Sequence, residues 1–430
     1  MSGKQLFQER TGLGLLICGH IAVCCVSLVL VAPPRPFVPQ AFHILFDPAR
    51  LHLAVIAAAA FGLVAVLFAV ARFSFGYFVG FYLYTMVLGH LWLGCFSDLA
   101  YDHWMAGWSA AASTVAFLLP ALLITSPLQQ RYVPTLGAFD WILNAILLIS
   151  VVTIAVAASY NFSPAGLADI YGSRPNLQSS APVNYMIGIT SGALLPFAFA
   201  CFALRGAYWR SAAILVLLQL YYPITLSKLA FFTPAWLVFL TILSKFFAAR
   251  TAVILSLLGP IFVGVVLMLI LGDAAVPYFS PVNFRMIAIP STALDIYNDF
   301  FSGHDPTYFC QISILKKLMS CPYQEPLAIV MLNNYHLGNL NASLFATEGV
   351  ASLGTTLAPI SVLLCGLVFA LGNRLSEGLP ARFVLVSGGV LPQVLLNVPL
   401  STTLLTHGGA FLFLLWYLTP REMFEAERPS

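Results

Sequence analysis

Windows of about 20 apolar residues recur along nearly the whole chain, each long enough to cross a lipid bilayer as a helix. They lie near 12–32, 50–71, 75–96, 105–125, 138–158, 185–204, 210–226, 229–244, 251–271, 347–371, 383–400 and 402–418. The expected fold is an all-α polytopic integral membrane protein with about 12 transmembrane helices in a single membrane domain, 1–430. Composition agrees: 60% of residues are hydrophobic and 8% charged, where a soluble domain carries about 25% charge. A net charge of +3 argues against a nucleic-acid surface. The first window ends in Ala-Pro-Pro-Arg-Pro rather than a small-residue cleavage site, which predicts a retained first helix.

Charge asymmetry orients the spans. With the N-terminus inside, the inner side holds 12 Lys and Arg and the outer side 7, which sum to the 19 present. That bias predicts both termini in the cytoplasm. It also puts outside the one long polar excursion, 272–345. This segment carries Arg285, Asp295, Asp299, His304, Asp305, Lys316, Lys317, Glu325 and His336, and leads into Asn339, Asn341 and Glu348. Such groups cost several kcal/mol in lipid, so a loop that collects them over a bundle is the place to look for chemistry.

The outer cations are the unusual ones. Lys228 lies between Pro223 and Pro234 in YYPITLSKLAFFTP, beside Tyr221, Tyr222, Thr225 and Ser227. It reads either as a lysine snorkelling to the headgroups or as a fixed cation for an anionic lipid-linked group, with Tyr222 among the hydroxyls beside it. Arg285 matches phosphate oxygens bidentately, or else pairs with headgroups or Asp295. Arg174, in the shorter outer loop 159–184, is a third candidate. Leu294, Tyr297 and Phe301 share one stripe, which predicts a surface-lying amphipathic helix over 291–301.

Asp299, His304 and Asp305 offer a general base, against the plainer reading of solvated loop charge. His20, His90 and His407 read as buried, hydrogen-bonded residues, and no histidine spacing suggests a metal site. Six cysteines fall in spans as packing residues. In an oxidising compartment, Cys310 and Cys321 could form a disulfide in the outer loop.

The segment NNYHLGNLNASLFATEGVASLGTTLAPISVLLCGLVFALGNRL, 333–375, resembles the C-terminal region of bacterial oligosaccharide repeat-unit polymerases, the O-antigen polymerase family. It has their Asn-rich, small-residue turn (Asn339, Asn341, Ala342), an acid near the start of the next span (Glu348) and a Leu-Gly step (Leu353, Gly354). DIYNDFFSGHDPTYFCQIS is similar to that family's outer loop, SKLAFFTPAWLVFL to its Lys-opened span and LPQVLLNVPLSTTLLTHGGAFLFLLWYLTP to its final hairpin. The short 159–184 loop, with Arg174 alone, departs from relatives that carry a larger arginine-rich one.

The resemblance implies a GT-C-like membrane glycosyltransferase of the bacterial inner membrane, with the long loop periplasmic. Donor and acceptor would both be polyprenyl-diphosphate-linked oligosaccharides, with a chain-length regulator as partner and no cofactor. In those terms Lys228, Arg285 and Arg174 would hold diphosphate. Asp299, His304 or Asp305, then Glu348, would take the acceptor proton, and Asn339 and Asn341 would orient sugar hydroxyls. An O-antigen ligase shares the donor, a membrane O-acyltransferase would need a buried polar histidine, and a glycan flippase would need charges within its spans.

Overall fold

The computed structural model describes residues 3–31, 42–164, 166, 179–312 and 314–427. Among them all regular structure is helical, apart from one isolated bridge between Ile44 and Ser97. Eight helices are long and apolar enough to cross a membrane, so the chain is an α-helical membrane protein. It divides into two compact units: Met1–Ile124 with Arg250–Ala370 and Leu395–Leu400, and Thr125–Ala249 with Leu371–Val394 and Ser401–Ser430.

The first unit contains α1 (Gly3–Val31), α2 (Pro48–Val70), α3 (Phe75–Leu93) and α4 (His103–Leu123). The second contains α5 (Leu136–Tyr160), α6 (Ala181–Leu204), α7 (Tyr208–Thr225) and α8 (Lys228–Phe246). The chain then returns to the first unit with α9 (Ala249–Leu271), α10 (Ile289–Gly303), α11 (Leu327–Tyr335) and α12 (Ser352–Ser376), whose last turns again belong to the second. Side-chain caps fix where several helices begin. The hydroxyls of Ser74 and Thr135 and the carboxylate of Asp102 accept from the amides of Tyr77, Ala138 and Met105 at the starts of α3, α5 and α4.

Helix α3 is the axis of the first unit. Every residue from Phe75 to Leu93 is buried except Leu91, and α1, α2, α4 and α10 pack on it. Two of its hydroxyls are paired inside, Thr85 with His20 at 2.9 Å and Tyr82 with Ser256 at 2.9 Å, while those of Tyr77 and Tyr84 are buried without a partner among the described residues. Just before its start, the carbonyl of Ala71 accepts from Arg250 at 3.0 Å, and Arg250 pairs with Glu9. Just after its end lie Ser97 and Tyr101. Nineteen residues separate these polar ends by about 28 Å, close to the roughly 30 Å hydrocarbon thickness of a bilayer.

The segment 272–345 differs from the single loop expected. Gly272, at φ +57°, turns the chain back at the end of α9. The chain then continues as helix, with a π-helical stretch over Ser280–Ala288 running directly into α10. The returning stretch packs on α9: the Tyr278 hydroxyl donates to the Pro260 carbonyl at 3.1 Å, and the Asn283 amide to that of Ile261 at 2.9 Å. Only 304–344 is largely irregular. Residues 291–301 likewise do not lie on a membrane surface, because Ser291 to Asn298 are buried throughout. Ser291, Asp295 and Asp299 find partners in α3 and the turn after it, and Asn298 in Thr355.

The expected last two spans are interrupted. Residues 381–418 form four short helices, Ala381–Ser387, Leu391–Leu395, Leu400–Thr406 and Gly409–Leu418, interrupted after Ser387 by Gly388, before Leu400 by Pro399 and after Thr406 by the left-handed Gly408, φ +77°.

A close approach of α3 and α10 fixes the part of the molecule considered next. A Cβ on Gly89 would stand 2.3 Å from the Ser291 hydroxyl and 2.8 Å from Ile287, and the Ser291 hydroxyl donates to the Met86 carbonyl at 3.0 Å. Gly89→Val should destabilise the first unit by about 1–3 kcal/mol, seen as earlier thermal unfolding in detergent. Gly137→Val, which meets nothing within 4 Å, should leave the transition in place.

Candidate active site

Helix α10 carries two carboxylates one turn apart on one face, Asp295 and Asp299, with Cβ atoms about 5–6 Å apart. Asp295 is 3% exposed. It accepts from the Ser97 hydroxyl at 2.6 Å and from Tyr101. Asp299 is half-buried and accepts from the Ala100 amide at 3.1 Å and the Tyr335 hydroxyl at 2.6 Å. Hydroxyls and one amide thus solvate both acids, and among the described residues neither forms an ion pair with Lys or Arg.

The donors come from two places far away in sequence. Ser97, Ala100 and Tyr101 belong to the turn between α3 and α4. That turn is tied to the chain before α2 by Leu45 N to Phe96 O at 2.8 Å, and by His43 Nδ1 to Asp98 at 2.9 Å. Tyr335 ends α11. Behind the acids, Thr355 donates to the Asn298 side chain at 2.9 Å, and Ser109 to the Thr355 carbonyl. These contacts seat α10 against α4 and the start of α12. Trp104 and Trp108, exposed on the first turns of α4, are the residues that favour a membrane interface.

His304 and Asp305 follow at the end of α10, and both are exposed. The imidazole lies flat on Phe300, with ring centroids 4.0 Å apart, and its Nδ1 is 2.8 Å from the Phe300 carbonyl. With Nδ1–H donating there, Nε2 carries the lone pair, so His304 can accept a proton from an incoming hydroxyl. Tyr323 donates to the Asp305 carbonyl at 2.8 Å and packs against Phe300 and Phe301. Cys310 and Cys321 are joined by a disulfide, with Cα atoms 5.4 Å apart, which closes the turn carrying Lys316 and Lys317.

The other candidates from the sequence stand elsewhere. Asn339 is exposed, while the Asn341 side chain accepts from Thr347 at 3.0 Å and from Tyr297 at 3.4 Å. Glu348 is 7% exposed and accepts from the Leu344 amide at 2.9 Å. It therefore caps the π-helical stretch Phe345–Ala351 instead of meeting solvent as a base would. Arg285 is half-buried in the π-helical stretch before α10. It precedes Asp295 by ten residues and Asp299 by fourteen, about 15 and 21 Å of helix. One sugar carbon therefore does not bridge Arg285 and Asp299.

Lys228 belongs to the second unit, where it opens α8 after the left-handed Leu226, φ +46°. Tyr222 is 8% exposed, its ring set edge-on to Phe231 at 5.0 Å. Arg174 lies outside the described residues. Sequence reasoning missed Ser97, Tyr101 and Tyr335. The polar run Asp-Leu-Ala-Tyr-Asp-His over 98–103 was the available signal, since it falls at the same end of the spans as the acids.

Comparison with known protein families, curated proteins and solved structures finds no match.

Burial, then the neighbouring carboxylates, push the Tyr101 hydroxyl well above its ordinary range. Burial, then the bond to Asp299, do the same for Tyr335. Both are acids whose folded state holds the proton more tightly than the unfolded chain. Their contribution to stability is complete below the ordinary tyrosine value of about 10 and is lost as pH rises beyond it. Unfolding midpoints measured from pH 8 to 11.5 should fall on the alkaline side. The double variant Tyr101→Phe/Tyr335→Phe should start less stable but show a flatter alkaline limb.

Proposed function

We propose that the chain is a membrane glycosyltransferase that joins polyprenyl-diphosphate-linked oligosaccharide repeat units into a surface polysaccharide, of the O-antigen or exopolysaccharide kind. In this reading it crosses the bacterial inner membrane twelve times. The eight long apolar helices, α3, α7 and the two broken stretches of 381–418 make up the passes. Both termini are cytoplasmic, and 304–344 is periplasmic.

The observation that carries the reading is the group of carboxylates, tyrosines and exposed imidazole at one end of the first unit. Carboxylates and hydroxyls arranged around stacked aromatic rings suit a glycan, which offers hydroxyls to one and C–H faces to the other. The transfer needs an acceptor hydroxyl to attack the anomeric carbon of the donor sugar. The new C–O bond forms as the bond to the polyprenyl diphosphate breaks. The hydroxyl proton passes to a base, and the diphosphate leaves with the bonding pair. His304 through Nε2, or Asp299, takes the proton, with Asp305 beside them. Tyr335 and the Ala100 amide hold Asp299 in place, and Asp295, bonded to Ser97 and Tyr101, fixes the turn that carries Ala100 against α10.

The separation from Asp299 changes what Arg285 can do. It suits the diphosphate of the acceptor, whose reactive hydroxyl lies at the far end of its own glycan. The same distance weighs against the ligase alternative, in which an Arg and His pair would act at one centre. Arg285 and His304 are nineteen residues apart on one helical run, about 28 Å.

In a deletion strain, His304→Gln and Asp299→Asn should each reduce long-chain polysaccharide on gels by 10²-fold or more, the range lost with a general base. Arg285→Ala should also lose polymer while the protein stays in the membrane. A ladder of normal length from all three variants would reject the reading. Loss of every attached unit from the deletion strain, with lipid-linked polymer accumulating, would favour a ligase.

A further inference from the structure

The disulfide between Cys310 and Cys321 closes a turn whose outer face is both apolar and basic. Ile314 is 66% and Leu318 78% exposed, and Met319 beside them is exposed as well. Between them stand Lys316 and Lys317, both exposed. The run from Ile314 to Met319 contains no acid, and among the described residues neither lysine pairs with a carboxylate. Lys316 donates to the Gln324 carbonyl at 3.3 Å, which leaves its charge uncompensated. Apolar residues scattered singly over a surface need no explanation. These project together from a fixed backbone. Besides the disulfide, the amides of Lys316, Leu318 and Met319 bond the carbonyls of Ile312 and Leu315 at 2.8–3.1 Å. A second observation gives the level at which the turn is rooted. Just before it, the Thr307 amide bonds the Ala351 carbonyl at 2.7 Å and the Tyr308 amide the Ser352 carbonyl at 3.0 Å, at the start of α12. The same end of α12 receives Ser109 of α4 at the Thr355 carbonyl. There α4 exposes Trp104 and Trp108, residues that favour the bilayer interface.

We infer that the disulfide-closed turn docks on the lipid leaflet at this end of the helices, with Ile314, Leu318 and Met319 among the acyl chains and Lys316 and Lys317 on the phosphates of anionic phospholipid. The apolar side chains leave water, and each lysine lays its stem along apolar surface while its ammonium stays at the headgroups. Near an anionic leaflet each lysine favours the docked state about fivefold. Docking needs only the membrane class of the chain and does not depend on glycosyl transfer. It also bears on the site described above. Tyr323, two residues past the disulfide, packs on Phe300 and Phe301, and His304 lies on the same Phe300 ring, so a turn anchored in lipid braces the aromatic group under the imidazole.

The test uses the full-length chain in lipid nanodiscs, with a nitroxide carried at Leu318 on a ketone-bearing amino acid so that the native cysteines stay untouched. Power-saturation EPR reads its exposure to oxygen, which partitions into lipid, and to a nickel chelate confined to water. In discs with about 30% phosphatidylglycerol the label should be reached by oxygen and shielded from nickel. The same label at the exposed Gln324 should be open to nickel. In pure phosphatidylcholine discs, and for Lys316→Gln/Lys317→Gln in the anionic discs, the ratio of immersed to water-exposed label at 318 should fall on the order of tenfold. A label at 318 as open to nickel as the one at Gln324 would overturn the inference. Shielding from both reagents, the mark of a protein partner, would overturn it too. So would immersion that neither the neutral lipid nor the lysine variant weakens, since anionic phospholipid would then play no part.

Discussion

A carboxylate buried at 3% exposure without an ion-pair partner is expensive, and Asp295 is tolerable only because two hydroxyls reach it. Those hydroxyls belong to Ser97 and Tyr101, nearly two hundred residues earlier in the chain. The rest of the first unit follows from keeping them there. The turn after α3 must hold its shape, which the backbone and side-chain bonds to His43 and Leu45 secure. Helix α10 must lie hard against α3, which the bare Cα of Gly89 permits. Asp299 then comes to the same turn one helical repeat later, within reach of the Ala100 amide and, from the other side, Tyr335.

This arrangement explains why so polar a helix can be enclosed. Its acids are solvated by the protein's own hydroxyls, its Asn298 by Thr355, and its Ser291 by a carbonyl of α3. The result is a rigid acidic face at one end of the helices, opposite the Glu9–Arg250 pair at the other. Rigid placement is what a proposed glycosyl transfer would need, because a base acts only within hydrogen-bond reach of the proton it removes.

Hydropathy made the membrane class and most long helices legible, since runs such as 136–160 and 249–271 are apolar over a full bilayer thickness. It could not resolve 272–303. Pro277, Pro281 and Pro290, with Arg285 and three Asp, read as a loop, whereas π-helical turns and enclosed polar partners make the segment helical. The final hairpin failed for the opposite reason: its composition is apolar enough, but Gly388, Pro399 and the left-handed Gly408 interrupt it. Asp299, His304 and Asp305 were visible as a dense polar cluster. Ser97, Tyr101 and Tyr335 were not, because a hydroxyl that bonds a carboxylate 36 residues away, as Tyr335 does, or nearly two hundred, as Ser97 and Tyr101 do, has no local signature. The same blindness made Glu348 look like a base, though its carboxylate bonds the Leu344 amide at the start of its own helix.

The most direct test is reconstitution. Purified chain in liposomes, supplied only with a polyprenyl-diphosphate-linked oligosaccharide, should produce a ladder of longer glycans and release one polyprenyl diphosphate for each new linkage, and the Asp299→Asn protein should not. Substrate that is bound but recovered unchanged, with no lipid diphosphate released, would contradict the account.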